Sequence, residues 1–229
     1  MFIGNTPLSD FGGKLLSRKI SPLDIEISSF WPKNALLPFI SAIKGYYYKR
    51  LDLEIELSGS PSDIEINKSR LIQALTSASV SFRKLDHVYT GVIAGASVGY
   101  QVLGYEVVGV EMLVYQHEDP QEVTINRTLE DMIFIGSNHD TPAVLEILPS
   151  VDVASVTITG FGRDIILLNL TAGKLITLDG EQGLVTEDGI NKWPDYDSWG
   201  FPRLSPGENI IELSDDTLDI TVRFSPRWA

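Results

Sequence analysis

The sequence predicts a mostly β protein in two parts, and three observations carry that reading. Asp52 to Leu57 alternates strictly, placing Leu53, Ile55 and Leu57 on one side of a strand and Asp52, Glu54 and Glu56 on the other. β-rich runs bounded by Gly, Pro, Asp or Asn recur at Leu23 to Ile27, Val88 to Ile93, Tyr105 to Tyr115, Val144 to Leu148, Val153 to Thr159, Ile165 to Leu170, Lys174 to Leu178 and Leu218 to Phe224. A single stretch breaks the pattern with a helical period. Ser62 stands as its N-cap with Glu65 three residues on as a capping box, and Ile64, Leu71, Ile72 and Leu75 fall on one stripe.

That helix is suited to lie across a sheet and close one end of a sandwich, while the second part, turn-rich and without further helical period, reads as a β-sandwich. The charge is unevenly spread. Residues 1–130 hold 12 Lys/Arg against 15 Asp/Glu, and residues 131–229 hold 6 against 16. This charge shift is a boundary signal, and the boundary is placed near Leu129 to Gly136, between domains 1-130 and 131-229.

A hydrophobic fraction of 43% and a charged fraction of 21% describe a folded chain with a sizeable core. Cysteine is absent, which excludes disulfides, thiolate metal sites and a cysteine nucleophile. Met1 to Gly13 lacks the basic and apolar segments of a secretory signal, so synthesis and folding are expected in the cytoplasm. Val88 to Tyr105 carries no charge and spaces Gly91, Gly95 and Gly99 by four, but its glycines and polar residues dilute the hydrophobicity. Strands meeting at glycine turns account for it better than a membrane span, and no membrane insertion is expected. A net charge of −13 disfavours a nucleic-acid-binding surface as the main business of the chain.

No catalytic constellation is legible, and the chain is read as a non-enzyme without cofactor or metal. The three histidines, His87, His117 and His139, have no metal-ligand spacing and read as solvated loop residues. Asp195/Asp197 and Asp215/Asp216 are carboxylate pairs of the kind glycoside hydrolysis uses, though acidic turns are the favoured reading. Calcium loops at Asp179 to Gly183 and Asp188 to Asp197 lack the D-x-[DN]-x-[DN]-G pattern. Asp10-Phe11-Gly12 has a kinase-like spelling without the surrounding kinase motifs. The run Tyr46-Tyr47-Tyr48-Lys49-Arg50 reads as a strand leading into Asp52. Lys192 to Phe201 is the most unusual segment, crowding Trp193, Tyr196, Trp199 and Phe201 together. Trp193, Tyr196 and Trp199 are the candidate contacts to a partner or glycan.

The C-terminal third resembles the distal tail protein family of siphovirus-type phages. The residues carrying the resemblance run in order from Ile135-Gly136-Ser137-Asn138 and Thr141-Pro142-Ala143-Val144-Leu145-Glu146-Ile147 through Gly173-Lys174-Leu175-Ile176-Thr177-Leu178-Asp179. They continue in Gly189-Ile190-Asn191 and Phe201-Pro202-Arg203-Leu204-Ser205-Pro206-Gly207-Glu208-Asn209-Ile210, and end in Asp219-Ile220-Thr221-Val222-Arg223-Phe224-Ser225-Pro226-Arg227-Trp228. Pro206-Gly207 is expected to fix a hairpin. The N-terminal match is looser, covering Phe2 to Phe11, Tyr48 to Leu57, the helix and Phe82 to Tyr89. An apolar-Pro-Tyr ending near the junction is replaced by Tyr115-Gln116-His117-Glu118.

The resemblance implies an N-terminal β-sandwich with one helix that forms a homo-hexameric ring, and a galectin-like C-terminal β-sandwich projecting outward. Such a ring joins the tail tube protein to the tail-tip hub or tail-associated lysin in the virion and leaves a channel through which DNA passes. An acidic channel wall is expected from the chain's net charge. The competing readings are a lectin-like module that binds host cell-wall saccharides and a glycan hydrolase.

Overall fold

The computed structural model describes residues 1–21, 25–30, 33, 39–45, 48–102 and 104–229. Part of the Leu23 to Ile27 run, and Tyr46 and Tyr47 of the tyrosine run, lie outside the described residues. The chain divides into two units, Met1–His117 and Glu118–Trp228. That division falls earlier than the 1-130/131-229 expectation because Gln121–Asn126 is a strand paired along its whole length with Leu218–Phe224, deep in the second unit. At the observed division the charge separates completely. Residues 1–117 hold 11 Lys/Arg and 11 Asp/Glu, a net of 0, whereas 118–229 hold 7 against 20, a net of −13.

In the first unit the strands are β1 (Phe2–Ile3), β2 (Thr6–Pro7), β3 (Gly13–Ser21), β4 (Ile25–Phe30), β5 (Phe39–Gly45), β6 (Lys49–Ser58), β7 (Ser77–Ser81), β8 (Val88–Val102) and β9 (Tyr105–His117). An antiparallel sheet runs in the order β2-β1-β7-β8-β9-β6-β3, and β4 and β5 form a separate hairpin. Leu51, Leu53, Ile55 and Leu57 of β6 and Val108, Val110, Met112 and Val114 of β9 point into one core. The alternation read at Asp52 to Leu57 thus sets the buried face. Asp10 and Phe11 lie in a 3-10 turn closed by Gly12 in the left-handed conformation, φ 63°, so the kinase-like letters are a local cap that inserts Phe11 into this core.

Helix α1 (Pro61–Leu75) seals the core with Ile64, Leu71 and Leu75. Its cap is not Ser62/Glu65. Ser60 Oγ accepts from Asp63 N at 3.2 Å and Asp63 Oδ2 accepts from Ser60 N at 3.4 Å, with Pro61 in the first turn, where its missing N–H is not needed. Lys68 ties the helix to β9, since its Nζ donates to Glu106 Oε1 at 2.8 Å and to Glu65 Oε1 at 2.7 Å. Glu106 is 1% exposed and also accepts from Gln101 Nε2 at 3.2 Å. The paired carboxylates raise the Lys68 pKa above its ordinary value, with the Glu106 hydrogen bond as the largest cause.

β8 is one continuous strand, so Gly91, Gly95 and Gly99 are not turns. They serve two local purposes. A Cβ on Gly91 would stand 1.9 Å from the Leu113 carbonyl oxygen, so only glycine permits the close approach of β9 there. Gly95 lies at a register shift against β9, and Gly99 lies within a second one. The turn into β9 is supplied by Gly104 at φ 83°.

The second unit comprises β10 (Gln121–Asn126), β11 (Glu130–Ile135), β12 (Thr141–Pro149), β13 (Val153–Thr159), β14 (Ile165–Leu170), β15 (Ile176–Asp179), β16 (Leu184–Glu187), β17 (Ile190–Asn191), β18 (Arg203–Leu204), β19 (Gly207–Leu213) and β20 (Leu218–Phe224). Two antiparallel sheets enclose a single core. One runs β10-β20-β12-β15-β16-β17 with β18 on β12, and the other runs β11-β19-β13-β14. Alternate residues of β12, β19 and β20 point inward from both sheets, as a sandwich requires. Pro206-Gly207 does not make a hairpin. β18 belongs to one sheet and β19 to the other, so this turn, with Gly207 at φ 94°, carries the chain across the sandwich. Buried Asn209 holds the crossing, donating through Nδ2 to Ser205 O at 2.9 Å and accepting at Oδ1 from Ser205 N at 2.9 Å.

Candidate functional site

The aromatic segment Lys192 to Phe201 lies on the second unit, beside β14 and β16. Burying a loop with this many rings requires that its backbone be paired elsewhere, and three contacts to β14 do so. Leu167 and Tyr196 form an isolated bridge, Asp197 N donates to Ile166 O at 3.0 Å, and Ile166 N donates to Ser198 Oγ at 2.7 Å. Lys192 is 6% exposed, and its Nζ donates to Asn169 O at 2.9 Å and reaches Glu187 and Asp195 at 3.2 Å each. Asn169, in the left-handed conformation at φ 53°, also donates to Asp195 Oδ1 at 2.8 Å. That bond, followed by the Lys192 ammonium, holds the Asp195 carboxyl below its ordinary range.

The rings do not form one platform. Trp193, Tyr196 and Phe201 stack on one another with centroids 5.6–5.7 Å apart. Tyr196 is 8% exposed, its hydroxyl donates to the Gly200 carbonyl oxygen, and burial raises its pKa, so this ring anchors the loop from inside. Trp193 is half-exposed, and Trp199 stands 94% exposed at the tip. Of the three sequence candidates, Trp193 and Trp199 therefore face solvent and Tyr196 belongs to the core.

The remaining candidates are taken up by local structure. Asp215 Oδ1 accepts from Thr217 N at 2.8 Å and from Thr217 Oγ1 at 2.5 Å, and these bonds lower its pKa. Asp179 Oδ1 caps Glu181 N and Gln182 N at 2.8 and 2.9 Å, and Asp188 Oδ1 caps Leu175 N at 3.1 Å. Each carboxylate satisfies backbone donors in a turn. His117 is not a loop residue. It ends β9, with Nε2 2.8 Å from Thr90 Oγ1 and its ring 5.3 Å from Tyr115. His139 Nδ1 lies 2.9 Å from Asp140 O. Among the described residues no cluster of His, Asp and Glu is arranged to hold a metal ion, and no helix is long and apolar enough to cross a membrane.

Residues 136–228 match the family model described as the siphovirus-type tail component, C-terminal domain. The second unit thus carries a segment similar to a phage tail component domain. Its matched segment spans β12 to β20 and the aromatic loop, and leaves out β10 and β11, which complete the two sheets. The fold of the whole chain is similar to that of the Dit protein of SPP1, described as a paradigm of the hub adsorption apparatus in phages that infect Gram-positive hosts. That similarity has a TM-score of 0.78 at 12% identity over 100% of this chain and 98% of that one. A chain of the phage P2 baseplate in its activated conformation with calcium is similar at a TM-score of 0.55 and 10% identity over 94% of this chain and 91% of that one, as is its strontium form. At these identities the structures establish the fold. No curated protein matches the chain by sequence. The resemblance read from the C-terminal residues is borne out by the family-model match over residues 136–228, and the fold of the whole chain is similar to that of the SPP1 Dit protein.

Proposed function

We propose that this chain is a ring subunit of a siphovirus-type tail tip: six copies join the tail tube protein to the tail-tip hub or tail-associated lysin around a channel for DNA. The observation that carries this reading is the tail component match at residues 136–228 set within a fold similar from end to end to a hub protein. The first unit is the ring-forming part and the second, a galectin-like sandwich, faces outward. A unit with no net charge can pack against copies of itself without accumulating repulsion, which a unit of −13 cannot. With a net charge of 0 on the first unit, an acidic channel wall requires that unit's acidic residues to be gathered on the channel side. The work of the molecule is assembly rather than catalysis. Light scattering and negative-stain electron microscopy of the purified chain, alone and with the hub partner, are expected to show closed six-membered rings. Monomers under both conditions at high concentration would overturn the reading.

A second reading is favoured by one observation, the exposed pair Trp193 and Trp199: the aromatic loop contacts a host cell-wall saccharide. Glycan-array binding that is lost in Trp199→Ala with the fold intact supports it. Absence of binding to host cell-wall glycans ends it.

A further inference from the structure

The outward face of β11 and β19 has a composition that stability alone does not explain. Cross-strand register places Met132 opposite Ile210, Phe134 opposite Glu208 and Glu130 opposite Glu212. Phe134 is 65% exposed, Met132 55% and Ile210 54%, and the three are contiguous rather than scattered. Glutamates flank them on both sides, two directly opposed, an arrangement of like charges that weakens a strand pair. These six outward positions hold no lysine or arginine, and among the described residues none of the three glutamates is in an ion pair. Glu212 Oε2 takes a single hydrogen bond, from Thr159 Oγ1 at 3.4 Å.

We propose that this face is a docking surface for a cationic polypeptide of another protein, one that presents apolar side chains between lysines or arginines. Charge complementarity selects the occupant. The apolar centre buries against the partner's apolar residues, and the flanking glutamates require positive charge around them. A second copy of this unit, itself at −13, is the wrong partner. Strand addition at the free edge of β11 is also disfavoured, because the Asp131 carboxylate already accepts the edge-facing Met132 N–H at 2.7 Å. Contact is therefore through the face. This surface does not depend on the ring reading.

The test uses the full chain and a soluble ten-residue peptide with threonine at every second position and lysine and leucine taking turns at the others, beside its twin with glutamate for lysine. Binding is followed by fluorescence anisotropy and mapped by amide chemical shifts. The lysine peptide is expected to shift β11 and β19 resonances, to weaken with added salt, and to lose about tenfold in affinity with E130Q/E208Q/E212Q and a similar factor with Phe134→Ser. A charge-matched control, D86N/D119N/D216N, removes as many exposed carboxylates elsewhere and is expected to leave binding unchanged. Equal loss in the two triple variants, shifts mapping away from β11 and β19, or a dimer of the chain that Phe134→Ser dissociates would each overturn the proposal. Circular dichroism confirms that the variants, all at exposed positions, retain the fold.

Discussion

Replacing Lys68 with methionine isolates the ion pair, buried on its Glu106 side, that fastens α1 to β9. The carboxylate of Glu106 is 1% exposed, and loss of Nζ leaves it the Gln101 Nε2 donor at 3.2 Å. Breaking a buried pair from one side costs about 3–5 kcal/mol, and the Gln101 bond places this case near the lower end, about 3 kcal/mol. For a unit of this size that is a fall of roughly 10–15 °C in the midpoint of its thermal transition. Removing both partners in K68M/E106L is expected to recover most of the loss, because an apolar side chain then replaces the buried carboxylate. Far-UV circular dichroism and calorimetry read the transition, and hydrogen exchange in α1 reports whether the helix is what loosens. The folded pKa of Lys68 is raised, so its contribution is fully present below the ordinary lysine value of 10.5 and is lost as pH rises through the folded value. Measurements at neutral pH therefore see the whole effect. A shift of under about 3 °C for K68M, or a double variant no more stable than K68M, would refute the reasoning.

Ser60→Ala is expected to cost about 1 kcal/mol in urea unfolding, whereas Ser62→Ala is near neutral, which separates the observed cap from the one read in the sequence. Gly91→Ala forces a backbone shift against the Leu113 carbonyl oxygen and is expected to cost about 2 kcal/mol or more. Gly95→Ala meets nothing within 4 Å and is expected to leave thermal stability unchanged or slightly raised. Asp195 and Asp215 have folded pKa values below the ordinary 3.8, so the stability they add is present above that value and drains away as pH falls through their folded values. Unfolding midpoints between neutral and strongly acid pH are expected to decline less steeply in D195N/D215N than in the unaltered chain.

Strand positions were legible where chemistry acts residue by residue. Val153 to Thr159, Ile165 to Leu170 and Leu218 to Phe224 coincide with β13, β14 and β20, because period-two alternation reports a half-buried strand directly. Ser62 and Glu65 satisfy the capping spacing, but so do Ser60 and Asp63, and Pro61 decides between them by opening the helix two residues earlier. The glycines of β8 suggest turns in the sequence, since a glycine needed for close approach looks the same there as a glycine needed for a bend. The division at His117 was obscured for a different reason. β10 is short and polar, and only its pairing with β20, far along the chain, assigns it to the second unit. In the aromatic loop the composition revealed a special segment but not its sidedness. Burial of Lys192 among Asn169, Glu187 and Asp195 decides that, and those partners come from three separate stretches of chain.

The segregation of charge has a consequence for handling and assembly alike. Ionic strength screens self-repulsion over a distance of about 8–10 Å under ordinary conditions, and here it acts almost entirely on one half of the polypeptide. Added salt should thus relax crowding among neighbouring acidic halves while leaving association through the neutral half, governed by shape and apolar contact, largely untouched. Dilute buffer and brine would then distinguish which half brings two molecules together.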